Sequence, residues 1–94
     1  MEFEWAESKA EQVKNEHAIE FAKIIDIFED PFAIEFIDET HSTEKEIRYA
    51  IIGITSYGLV YLVFTEPDEN RIRFITARRA ENWMVNEYEE NRKK

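Results

Sequence analysis

Ninety-four residues, 44% apolar and 14% aromatic, suffice for one hydrophobic core and not for two, so a single domain over residues 1–94 is expected. The absence of cysteine excludes disulfides, thiolate metal sites and cysteine nucleophiles, and no apolar run approaches the roughly 18 residues of a membrane span. The net charge of -9 is uneven: residues 1–44 carry thirteen Asp or Glu against three Lys, and residues 45–94 carry eight acidic against nine basic groups. Long-range attraction to nucleic acid is thereby excluded for the molecule as a whole, and any phosphate contact must be local to the C-terminal half.

Met1-Glu2-Phe3-Glu4-Trp5 alternates and predicts a short first strand; without a signal peptide's basic start and apolar middle, it fits a cytoplasmic protein. Residues 6–16 contain no helix breaker, but only Ala6, Ala10 and Val13 are apolar, so this helix should lie on the surface. His17 follows at its junction. Over residues 18–29, Ala18, Phe21, Ala22, Ile25 and Phe28 recur at three and four, and Ile24 and Ile27 widen the stripe. That spacing predicts a second helix, stopped by Asp30-Pro31.

Residues 32–37 read as a strand and residues 38–45 as a polar exposed loop. Over residues 46–54, Ile47, Tyr49 and Ile51 face one way while Glu46, Arg48, Ala50 and Ile52 face the other. Thr55-Ser56-Tyr57-Gly58 is a hairpin turn, residues 59–64 an unbroken apolar strand suited to a sheet centre, and residues 66–70 a second turn. Residues 71–79 then hold four arginines in nine positions. Alternation puts Ile72, Phe74 and Thr76 on one face and Arg71, Arg73, Ile75 and Ala77 on the other, with Arg78 and Arg79 at the end. A closing helix over residues 80–92 aligns Ala80, Met84 and Tyr88, with Trp83 beside them. The fold class is α+β: an antiparallel sheet of four or five strands, two N-terminal helices and one C-terminal helix.

His17 and His41 lack a second metal ligand at helical spacing, Gly53 and Gly58 form no phosphate loop, and no serine nucleophile motif occurs. No cofactor is expected. A histidine and several arginines remain, a set that can cleave RNA by moving the 2′-hydroxyl proton and stabilising charge on the phosphoryl oxygens. The same residues also read as a helix-junction histidine and a solvated edge strand.

Phe3-Glu4-Trp5 with Lys9, then His17, Ile19, Phe21, Phe28-Glu29-Asp30-Pro31, His41-Ser42, Glu46-x-Arg48, Gly53, Ile72-Arg73-Phe74-Ile75-Thr76-Ala77-Arg78-Arg79-Ala80 and Tyr88 together resemble the BrnT family of type II toxins along nearly the whole chain. The resemblance implies a RelE/ParE-like fold and a cytoplasmic, metal-independent endoribonuclease that inhibits translation. It implies a ribbon-helix-helix, BrnA-like antitoxin, with operator DNA bound only through the complex, in which the toxin can pair with a second copy. Carried over by position, His17, Arg48 and Arg78 are the implied catalytic residues, and Arg73 and Arg79 the supporting phosphate contacts.

The chain departs from the family at Ala6 (usually Asp), Val13 (usually Asn), Glu16 and Ala18 (usually Lys and Gly around the histidine) and Met84 (commonly Glu). Exchanging Lys for Glu beside His17 changes the local charge by two units. Each unit is worth on the order of 2 kcal/mol against a phosphate at about 7 Å and an effective dielectric of about 20. Two further readings follow: an antitoxin-binding, autoregulating protein of the same fold without cleavage, and a self-associating module built on exposed aromatics.

Overall fold

The computed structural model describes residues Met1–Lys94. The elements are β1 (Glu2–Trp5), α1 (Glu7–His17), two 3₁₀ turns (Phe21–Lys23 and Ile25–Glu29), β2 (Ile34–Ile37), β3 (Tyr49–Thr55), β4 (Gly58–Asp68), β5 (Arg71–Arg79) and α2 (Asn82–Arg92). The five strands form one sheet in the order β1-β5-β4-β3-β2, with the apolar β4 at its centre. β2, β3, β4 and β5 pair antiparallel, but β1 runs parallel to β5, so the sheet is mixed rather than wholly antiparallel. Sequence alternation predicts a strand but not the direction in which its non-local partner runs.

The second N-terminal α-helix expected over residues 18–29 does not form. Ala18 ends α1 at φ 56° and ψ 36°, and the chain continues in the two 3₁₀ turns. Ile19, Phe21, Ile24 and Ile27 are all buried. The last three recur at exact threes, the 3₁₀ period, and the isoleucines are stiff at χ1, which weakens their α-helical preference.

Two cores result, one on each side of the sheet. On the α1 side, Val13 and the 3₁₀ turns pack on Ile51, Val60, Leu62, Phe64, Ile72, Phe74 and Ala77. Phe74 is the hub of its aromatic contacts, with ring centroids 5.4–6.1 Å from those of Phe3, Trp5, Phe21 and Phe28. The other side is smaller: Met84 and Tyr88 of α2 bury Ile52, with Ile34, Phe36, Leu59 and Tyr61 around them.

One irregularity decides which way the arginines point. Val63 pairs with Thr76 and Phe64 with Phe74, so Ile75 is an extra residue, a β-bulge. Strict alternation groups Thr76 with Ile72 and Phe74, but the bulge reverses the faces beyond it. Ala77 joins Ile72 and Phe74 in the core, and Thr76 is exposed. Arg71, Arg73 and Arg78 therefore share the α2 side, and Arg79 turns to the α1 side. A second irregularity between Thr65 and Asp68 carries β4 through Pro67, so the turn expected over residues 66–70 shrinks to its last two residues.

Asp30 locks the two sides together. Its carboxylate accepts hydrogen bonds from the Ile54 N–H (2.8 Å), the Phe32 N–H (2.9 Å) and the Tyr88 hydroxyl (2.7 Å). Gly53 completes the lock, since a Cβ there would stand 2.7 Å from Cγ1 of Ile27. Burial opposes ionisation of Asp30, but its donors outweigh that and hold the carboxyl below its ordinary range. Burial and the same bond push the Tyr88 phenol from 10.0 up to about 12. Between those values the unfolded chain loses this proton while the folded one keeps it, so stability falls as pH rises through the window. Tyr88→Phe should abolish that alkaline slope and cost about 1.5–3 kcal/mol at neutral pH, as read by urea unfolding across pH 7–12.

Candidate functional site

The polar loop after β2 is closed by a set of short bonds. Asp38, opposite Arg48, donates its N–H to the Arg48 carbonyl at 2.8 Å. The Ser42 hydroxyl donates to the Asp38 carbonyl at 2.7 Å and accepts from the Arg48 N–H at 2.8 Å. The Asp38 side chain is buried, and its Oδ2 lies 2.7 Å from Nδ1 of the exposed His41. The guanidinium of Arg48 is paired with Glu46 at 3.0 Å.

Arg78 reaches the same region from β5. Tyr61 is its partner across the β4–β5 ladder, and the Arg78 guanidinium lies 5.2 Å from the Tyr61 ring centroid, a cation–π distance. Burial raises the Tyr61 phenol above its ordinary value, and the nearby Asp38 carboxylate adds to this against the pull of Arg78. The hydroxyl is therefore a protonated donor at neutral pH. Glu81 at the start of α2 holds Arg78 at 3.3 Å. Arg73 is further along this side of the sheet, tied with Arg71 to Glu4.

His17 is elsewhere. It ends α1, and its carbonyl receives Nη1 of Arg79, whose guanidinium also lies 5.6 Å from the Tyr57 ring centroid. Its Nε2 lies 3.8 Å from the Glu16 carboxylate, and no hydrogen bond orients the ring. Of the six arginines, Arg79 is the one without a carboxylate partner within ion-pair distance.

The five residues singled out from the sequence thus divide between two places. Arg48 is joined to Asp38 through its backbone, Arg78 is linked to it through Tyr61, Arg73 follows on the same side, and His17 meets Arg79 across the sheet. Sequence reasoning missed Asp38, Tyr61, Tyr57 and Glu81. Asp38 carried a usable signal, an acid three residues before a histidine at a strand's end. Tyr61 carried none, because the bulge hides its register with Arg78.

The sequence pattern of the ribonuclease toxin BrnT of type II toxin–antitoxin systems matches residues 5–82. The chain belongs to the BrnT family. Comparison with curated proteins gives no match. Membership makes this a toxin-family chain with an antitoxin partner, and none of its helices is long and apolar enough to cross a membrane.

Alanines stand at both ends of α1. Ala6 is its N-cap residue and supplies no side-chain acceptor; Ala18 is its C-cap and the one non-glycine residue at positive φ. Aspartate caps the first position better than alanine, and glycine accepts the left-handed conformation of the second without steric cost. Ala6→Asp and Ala18→Gly should each stabilise the fold by about 1 kcal/mol, raising the melting temperature by about 4–8 °C.

Proposed function

We propose that the chain is a metal-independent endoribonuclease toxin that inhibits translation, with a RelE/ParE-like arrangement of sheet and helices. Its RNA site lies on the α2 side of the sheet. The observation that carries this reading is the position of Arg78, stacked on Tyr61 beside the Asp38–His41 pair. A fixed guanidinium next to a protonated phenol is suited to charge building on a phosphoryl oxygen. Arg48 and Arg73 add positive charge along the path of the RNA, and His17 with Arg79 forms an outer phosphate contact across the sheet.

The partner is a ribbon-helix-helix antitoxin whose basic segment meets the acidic N-terminal half, with operator DNA bound through the complex. A reading without cleavage is favoured by one observation: Glu46, Glu4 and Glu81 already occupy Arg48, Arg73 and Arg78. Induced expression in a bacterium without the antitoxin separates the two. Growth arrest with fragmented RNA, and cleavage by the purified chain in excess EDTA, are expected. Normal growth and intact RNA from a well-expressed, folded chain would leave only the binding role.

A further inference from the structure

We propose that His41, oriented by Asp38, is the proton acceptor in RNA cleavage; the inference rests on the ribonuclease reading above. The histidine that stands out in the sequence is His17, but its ring has no orienting hydrogen bond, and it lies across the sheet from Arg78. His41 is built in the opposite way. Its Nδ1 is 2.7 Å from Oδ2 of Asp38, and its backbone N–H points to Oδ1 of the same carboxylate at 3.4 Å. An ionised carboxylate only accepts, so the shared proton sits on Nδ1 and the lone pair of the neutral ring is at Nε2. The side chain of Asp38 is 7% exposed and that of His41 is 60% exposed, so the ring is anchored on the inside and presented to the outside.

The anchor itself is rigid. Ser42 and Arg48 hold the backbone of Asp38 on both sides, and no buried side-chain polar atom is without a partner. Tyr61, beside Asp38, continues the set to Arg78. Asp38 thus bears on His41 on one side and on Tyr61, which carries Arg78, on the other; a base and a phosphate-binding guanidinium are the groups that attack by a ribose hydroxyl calls for.

The step balances without a co-reactant. The 2′-oxygen forms a bond to phosphorus as its proton passes to Nε2 of His41. The bond from phosphorus to the 5′-oxygen breaks, and that oxygen takes a proton from water. The products are a 2′,3′-cyclic phosphate and a 5′-hydroxyl, and the proton on Nε2 returns to solvent. Asp38 is a positioning residue; it keeps the Nδ1–H tautomer and the ring direction.

The test is cleavage of a defined RNA oligonucleotide by the purified chain and by His41→Ala and Asp38→Asn, each checked for folding by thermal melting. His41→Ala should lower kcat/KM by about 10²- to 10⁴-fold with RNA affinity unchanged, and free imidazole in the buffer should restore much of the loss. Asp38→Asn should lower kcat with KM unchanged. His41→Asn, which keeps a donor for Asp38, replaces His41→Ala if the latter does not fold. Wild-type rates in a folded His41 variant, or a loss that imidazole leaves untouched, would overturn the assignment. Failure of the unsubstituted chain to cleave any RNA overturns the ribonuclease reading instead.

Discussion

Arg78→Ala should lower RNA cleavage by about 10²- to 10³-fold in kcat/KM while leaving the fold intact, and should relieve growth arrest on induced expression. The expected effect on chemistry is large because the guanidinium is held between the Tyr61 ring and Glu81, so little motion is needed when a phosphate arrives. The effect on stability is small because the side chain is 44% exposed and fills no core position. Arg78→Lys should recover little, since a point charge reproduces neither the stacking nor the fork of donors. Glu81→Gln should move the other way, tightening RNA binding by removing the carboxylate that competes with phosphate for Arg78. Steady-state cleavage of one oligonucleotide by the three variants decides the matter. Equal activity of Arg78→Ala and the unsubstituted chain would remove Arg78 from the site.

The largest loss of stability should come from Asp30→Ala, about 3 kcal/mol or more in urea unfolding and a fall of more than about 10 °C in melting temperature. This one carboxylate satisfies two backbone N–H groups and the Tyr88 hydroxyl, and its removal leaves all three to find other partners at the base of α2. The pH dependence has a definite sign. Because the Asp30 carboxyl is held below its ordinary range in the fold, its contribution is present above the unfolded value near 3.8 and is lost as pH falls through the folded one. Asp30→Ala should therefore flatten the acid limb of the stability curve as well as lower its plateau. A variant that melts within about 1 °C of the unsubstituted chain would show that the lock is not needed.

The position of Met84 belongs to the same end of α2. It is fully buried against Ile52, and its sulfur accepts the Glu81 N–H at 3.4 Å, in the place where a capping-box glutamate would bond. Met84 thus serves at once as a core residue and as the partner of the Glu81 N–H at the start of the helix, where Glu81 holds Arg78.

Sequence alone determined the elements whose patterning is local. The acidic first strand, the thinly apolar α1, the hairpin at Thr55–Gly58 and the arginine strand were all legible, because their periodicity and turn residues act over a few positions. The order of short motifs from Phe3 to Tyr88 also pointed to the family. Asp30, Gly53 and Tyr88 belonged to that pattern, but their joint role as one lock is visible only when the chain brings them together.

Tertiary structure decided what depends on register and on distant partners. The stripe over residues 18–29 satisfies α-helical and 3₁₀ spacing alike, and packing between α1 and the sheet selected the tighter turns. The parallel pairing of β1 with β5 is a contact between the two ends of the chain, beyond the reach of any local pattern. Above all, the extra residue at Ile75 set the direction of Arg78 and Arg79, because side chains on a strand alternate with period two and one inserted residue reverses all that follow. His17 and His41 are both single histidines in a polar setting by sequence. The fold distinguishes them, since it buries a carboxylate under one ring and leaves the other at the open end of a helix.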